Sequence, residues 1–437
     1  MDSPTGSATQ SDPGRPLHRP RVLGGHRPAL SPSGALVRHL RIRASRRALA
    51  TRTVLSIAIT VGVTTVVATP AHAQTFVGCS TAELNTAITN ANANGGDTLF
   101  LSPGCDYDYT AAFSGEDATP TVTSPITIIG NGATIQRDPA ATNAFRLFDI
   151  GNGGKLAAGG LTIKGGNPTG DGGGILVESG GTLNANGLSI SGNTANRGGG
   201  VELNSGSTAT IRATSIDGNT AGLAGGGIDN PGGSLTLNLS KLTNNTAGTP
   251  AVGGGGGGYD QDDGTGVITA TIISGNTSAF AGGGIDHDGG PLTVSASTIA
   301  NNRALGVPTG SNHPGGGGIW TGAFNASETT TINGTLITGN SATSGDGGGI
   351  RNEFSGGLSL NASTLINNTA GDQAGGLYNG VSSTAHLNMS TITKNSSGTA
   401  PGGVYNAGTV TNTLSAIIAN PPTNCTPSPN PVPGCIN

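Results

Sequence analysis

One motif constrains this chain more than any other: an Ile or Leu, two residues, then an Asn, recurring nine times. It pairs Ile190 with Asn193, Ile216 with Asn219, Leu242 with Asn245, Ile273 with Asn276 and Ile299 with Asn302. It continues through Ile337 and Asn340, Leu365 and Asn368, Ile392 and Asn395, and Ile417 and Asn420. The asparagines are 26, 26, 31, 26, 38, 28, 27 and 25 residues apart. A glycine cluster closed by an apolar residue follows each of them but the last, at 198–201, 225–228, 253–259, 282–285, 315–319, 347–350, 375–377 and 402–404, with an earlier member at 172–175. Repeats of this length denote a solenoid, in which each unit buries its apolar face only by stacking on its neighbours.

Within a repeat the pattern alternates with period two, Leu235, Leu237 and Leu239 against Ser234, Thr236 and Asn238. That is a strand with one buried face, and no repeat carries a helical period. The chain is therefore read as all-β, a single-stranded right-handed parallel β-helix of ten or more coils with three short strands per coil. The 78 glycines would suggest disorder if they lacked a period. Here they read as corner residues that supply positive φ and close backbone approach. The repeated asparagines read as a structural ladder of stacked, hydrogen-bonded amides at one corner.

The chain divides by charge. Residues 1–73 hold ten arginines and two acids, leaving 10 basic and 22 acidic residues of the chain's 20 and 24, a net of −12. Arg41, Arg43, Arg46, Arg47 and Arg52 precede an apolar run at 54–68 and the triplet Ala71, His72, Ala73. This is the pattern of a secretory signal cleaved after Ala73, with residues 1–36 as a leader and a start of translation expected near Val37. The run is too short for a comfortable membrane span, which needs ~20 residues. A secreted or cell-surface protein without an integral membrane domain is expected, and the acidic remainder disfavours nucleic acid. Cys79, Cys105, Cys425 and Cys435 all follow the cleavage site, an arrangement that suggests disulfides. If two pairs lie at opposite ends of a long stack, only Cys79–Cys105 and Cys425–Cys435 are within reach.

The GGGI or GGGV cluster with Ile-x-x-Asn resembles the repeats of polymorphic outer-membrane proteins and related pectin-lyase-like β-helix proteins, over about residues 150–420. The segment 80–94, with Leu84, Ala87, Ile88 and Ala91 on one face and Ser80 and Glu83 at capping-box spacing, reads as an amphipathic helix. The resemblance implies that this helix covers the N-terminal end of the core, with irregular first coils filling residues 74–160 and regular coils 161–420. Where that family continues into an outer-membrane β-barrel, this sequence continues into a Pro-rich segment, 421–437.

The residues after each cluster's apolar position fall into one column: Leu176, Glu202, Asp229, Asp260, Asp286, Trp320, Arg351, Tyr378 and Tyr405. Strand alternation points them outward. Like charges one strand apart destabilise unless compensated. Glu202, Asp229, Asp260, Asp286, Asp288 and Trp320 are the candidate ligand-binding residues, with the indole as a sugar platform. Calcium is the candidate cation, at Asp229, Asp260 and Asp286; no other cofactor is expected. Long corners at 248–252, 304–314 and 321–328 mark the same stretch as a binding face. His287 reads as an inward ladder substitute, and no metal site is assigned to it or to His313.

The leading expectation is a non-enzymatic, monomeric binding or adhesion module for carbohydrate or another surface protein. The rival is a polysaccharide hydrolase or lyase using Asp229, Asp260 and Asp286 with His287, since a glycosidase needs two carboxylates ~5–9 Å apart. Asp262 and Asp263 resemble the paired aspartates of polygalacturonase-like hydrolases, but that family's Gly-His-Gly and Arg-x-Lys signatures are absent. A structural spacer is the third reading.

Overall fold

Each Ile-x-x-Asn unit turns its apolar residue inward from a three-residue strand whose neighbours face out. In Ser215–Asp217 and Lys241–Thr243 only Ile216 and Leu242 are buried. The strand before it does the same over five residues: Leu235 and Leu237 of Ser234–Asn238 are buried. Stacked in register, these residues form one continuous core of Ile, Leu, Val and Ala. The computed structural model describes residues 74–306, 314–322 and 329–437; the leader, signal and cleavage readings lie outside them.

The described residues build a parallel β-solenoid of about 12 turns from four sheets, of 13, 12, 10 and 8 strands. Three of these match the expected strands. The fourth is a run of very short strands just after the ladder Asn, such as Thr220–Ala224 and Thr246–Ala247. It escapes pattern reading because most members are only two residues long, too short to show alternation. The first coils already give Gln74–Val77, Asp97–Leu101 and Pro125–Ile129 to the largest sheet, whereas the 10-stranded sheet begins only at Phe148–Ile150 and the 8-stranded one at Thr194–Arg197.

The asparagine ladder is complete. In each step Nδ2 of one Asn donates to Oδ1 of the next, at 2.9–3.0 Å from Asn193 through Asn420. The same Oδ1 accepts the backbone N–H of the preceding Asn, and the second amide hydrogen goes to a carbonyl such as Ile190 O. All these groups are buried with every hydrogen-bonding function used, as a buried polar network must be. A second ladder was not anticipated. Thr214, Ser240, Thr271, Ser297, Thr335, Ser363, Ser390 and Ser415 each accept a backbone N–H from the coil before. Its signal was present: a Ser or Thr stands two residues before nearly every motif Ile or Leu.

One core assignment is corrected. Leu239, read with Leu235 and Leu237 as inward, is 50% exposed, because the chain turns there with φ at 52°. The left-handed turn flips the side chain out. Met389 occupies the same turn at φ 49°, 59% exposed, and Gly334 takes it at φ 52°. A non-glycine residue in this conformation costs ~1–2 kcal/mol, partly offset by the flexibility a glycine adds to the unfolded chain. Leu239→Gly and Met389→Gly are each expected to stabilise the protein by about 0.5–1 kcal/mol, read as a higher urea midpoint. A lower midpoint for both would contradict the strain argument.

Both ends are closed. The helix Thr81–Ala93 turns Leu84, Ala87, Ile88 and Ala91 onto the core, with Ser80 Oγ accepting Glu83 N–H at its start. At the other end the Pro-rich segment folds back. Asn424 Oδ1 supplies a last ladder rung for Asn420, and Asn430 Nδ2 bonds Ala407 O. Cys79–Cys105 and Cys425–Cys435 are disulfides, with Cα separations of 5.7 and 6.4 Å, one near each end.

Candidate functional site

The register read from sequence holds. Glu202 pairs with Asp229, Asp229 with Asp260, Asp260 with Asp286, and Asp286 with Trp320, on successive parallel strands. The column runs on through Arg351, Tyr378 and Tyr405, and Asp149 and Leu176 precede it.

Its exposure is the correction. Glu202, Asp229, Asp260 and Asp286 are only 1%, 0%, 3% and 7% exposed, so the acids are not a solvated face. The glycine cluster explains this. At Gly225 the backbone has φ 62°, and it lies so close to the next strand that an added Cβ would sit 2.4 Å from Asp229 Cβ. The chain folds over its own outward-pointing residue, which only a glycine allows. Trp320 is likewise 6% exposed, so it is not the open sugar platform expected. It packs on Phe354, itself 49% exposed, with centroids 5.9 Å apart.

Four stacked buried acids need compensation, and the structure supplies two kinds. Arg197, the last residue of a short-sheet strand, reaches over the corner so that Nη1 lies 3.4 Å from Asp229 Oδ2 and 3.3 Å from Asp262 Oδ2. The other compensation is protonation. Burial, then the Asp229 charge, pushes the Glu202 carboxyl up to about 10. Burial, then Asp229 and Asp286, holds Asp260 well above the usual carboxylate range, and burial with Asp288 and Asp262 does the same for Asp286. Asp229 is raised by burial too, but hydrogen bonds from Asp260 and Glu202 and the Arg197 charge draw it back toward ionisation. Asp229 thus stands between two carboxyl groups that burial holds high, and adjacent carboxylates in low dielectric do not ionise together.

Asp286 opens on a cavity of about 230 Å³ shared with Asp260, Asp262, Asp288 and Arg197. Leu223, Ala224 and the long corner Val252, Gly253, Gly254 and Gly255 complete its lining. Of the three long corners, 248–252 reaches the cavity through Val252, while most of 304–314 and 321–328 lies outside the described residues. Burial, then the Asp262 charge, lifts Asp288 to about 6. Among the described residues no three His, Cys, Asp or Glu side chains are grouped as a metal site would require.

His287 points inward, as its position suggested, but it stands in register with Gln261 and Thr321 and not in the asparagine ladder. It is buried, with Nε2 2.8 Å from Gly290 O and Nδ1 2.9 Å from Thr330 Oγ1. A carbonyl only accepts, so Nε2 carries a proton. The ring is thereby turned away from the carboxyl column on the opposite face of the same strand.

No protein-family model, no curated protein and no solved structure matches this chain. The site must be read from its own chemistry. Beyond the acids the column changes character. Arg351 is buried, bonded to Asp346 at 2.7 Å and Glu353 at 2.6 Å, and its guanidinium lies 4.7 Å from the Tyr378 ring centre. Tyr378 stacks on Tyr405 at 4.9 Å, both half-buried. Sequence reading missed Arg197 as the partner of the acids. The available signal was its place directly before a glycine cluster, where Ala224, Ala281 and Ala374 stand in other coils and Asp346, the partner of Arg351, stands in another.

Proposed function

We propose that this chain is an exported, non-enzymatic β-helix that binds glycan along the face carrying the carboxyl column and the tyrosine pile. The observation that carries the reading is the column itself, which passes in strand register from stacked carboxyls beside a cavity to Arg351, Tyr378 and Tyr405. Rigid side chains with an apolar body and a polar tip suit sugar rings, and a polymer with a repeat suits a surface with one. The net −12 after residue 73 favours a neutral or cationic polymer over an anionic one. Export is supported by the two disulfides, which persist in oxidising compartments, and by the signal-like pattern before Gln74.

In affinity electrophoresis through gels containing neutral polysaccharides, the protein is expected to be retarded by at least one of them. The Tyr378→Ala, Tyr405→Ala double variant is expected to lose that retardation. Equal retardation of the variant would rule out the tyrosine face.

A hydrolase is the second reading, favoured by Asp260 and Asp286 at the cavity, whose carboxyls burial holds well above the usual range, since a glycosidase needs an acid that keeps its proton for the leaving group. Release of reducing ends from the bound glycan, abolished by Asp260→Asn, would replace the binding reading with this one.

A further inference from the structure

The cavity at Asp286 holds an imbalance that the column's internal bonding leaves standing. Four carboxyl groups, Asp260, Asp262, Asp286 and Asp288, line it against one guanidinium, and Arg197 already faces Asp229 and Asp262. Asp286 Oδ1 is buried without a hydrogen-bond partner, on a side chain more than nine-tenths buried. An unmet buried acceptor costs ~1–3 kcal/mol, more for a charged group, so a donor is missing there. The remaining side chains of the lining, Leu223, Ala224 and Val252, are apolar.

These walls restrict what fits. The occupant must carry positive charge or several donors on one side and an apolar face on the other. A bare metal ion satisfies only the first condition, and the carboxylates are not grouped as a metal shell among the described residues. About 230 Å³ is also several times the ~30 Å³ that one water occupies.

We propose that this cavity binds a protonated amine carried on a small ring, an amino-sugar residue of a glycan, with its ammonium among Asp260, Asp286 and Asp288 and its C–H face on Leu223, Ala224 and Val252. The inference rests on the glycan reading above and narrows its ligand. The ammonium replaces the protons that hold these carboxyls neutral, so binding releases protons. The groups facing Asp286 are Asp260 one strand before it, Asp262 and Asp288 at the cavity and Arg197 from the short sheet, with Glu202 and Asp229 farther along the column and His287 on the core side. Gly255 completes the fit, because a Cβ there would lie 1.7 Å from Asp286 Oδ2.

The test is isothermal titration of the full chain with a glucosamine tetramer and with its N-acetylated counterpart, at a pH of about 5.5, where the free amines are already protonated, in two buffers of different ionisation enthalpy. The amine tetramer is expected to bind with proton release and at least about tenfold more tightly than the acetylated one, and Asp286→Asn is expected to weaken it by about tenfold or more. Asn is isosteric with the neutral acid, and circular dichroism checks that the variant is folded. Equal binding of both tetramers, or binding without proton release, would overturn the amine inference and leave the glycan reading in place. Failure of these tetramers and of every neutral polysaccharide would overturn both. Calcium chloride binding at this site, lost in Asp286→Asn, would replace the amine with a metal.

Discussion

Raising the pH from 5 to 8 is expected to destabilise this protein by about 3 kcal/mol or more, the reverse of the usual behaviour of an acidic protein. The sign follows from the direction of the shifts. Glu202, Asp260 and Asp286 bind protons more tightly when folded than when unfolded, Glu202 up to about 10. A carboxyl raised on folding contributes its full stability below its unfolded value, near 4.5 for Glu, and loses it as pH climbs through the folded value. Asp149 and Asp288, each lifted to about 6, add to the loss in the lower part of that window. Urea midpoints across pH 5–8 should therefore fall steadily. Glu202→Gln, which keeps a donor toward Asp229 without a titrating proton, should flatten the curve and raise the pH 8 midpoint. A midpoint that rises with pH would mean that the acids ionise on folding, and the reading of the column would fail.

The largest effect of a single substitution is expected at the ladder. Asn276 Oδ1 accepts from both Asn245 N and Asn245 Nδ2, at 2.9 and 3.0 Å, and its own Nδ2 donates to Leu242 O and Asn302 Oδ1. Asn276→Ala removes all four bonds in a fully buried corner where no water replaces them. At ~1–3 kcal/mol for each buried group left unmet, the loss should be about 4 kcal/mol or more. Because coils in a solenoid depend on their neighbours, unfolding of the variant should begin on either side of residue 276. Limited proteolysis locates that weak point, and a midpoint within ~1 kcal/mol of the parent would show that the ladder is decoration rather than support.

The fold was legible because solenoid contacts are local in sequence, so the period alone placed Asn193 under Asn219 and Glu202 under Asp229. The same regularity concealed the chemistry. Strand alternation correctly assigned Asp229 to the side away from the core, but burial there is decided by the backbone folding over it at Gly225, and alternation carries no information about that. Arg197 was missed for a related reason. It belongs to a different strand and a different coil from Asp229, so only the three-dimensional corner brings them together. Trp320 shows the limit for aromatics: its register was right, but Phe354, thirty-four residues later, shares its surface. Leu239 fits a period-two pattern until the turn reverses it.

At the heart of this β-solenoid stands a column of acids proposed to be neutralised by shared protons and one arginine. Neutron diffraction from crystals at pH 7 would locate those protons. The expected map shows deuterium between the carboxyls of Glu202 and Asp229 and between those of Asp229 and Asp260, with Arg197 against Asp229. Ionised carboxylates without deuterium between them, held apart by a bound cation or turned out to solvent, would contradict it.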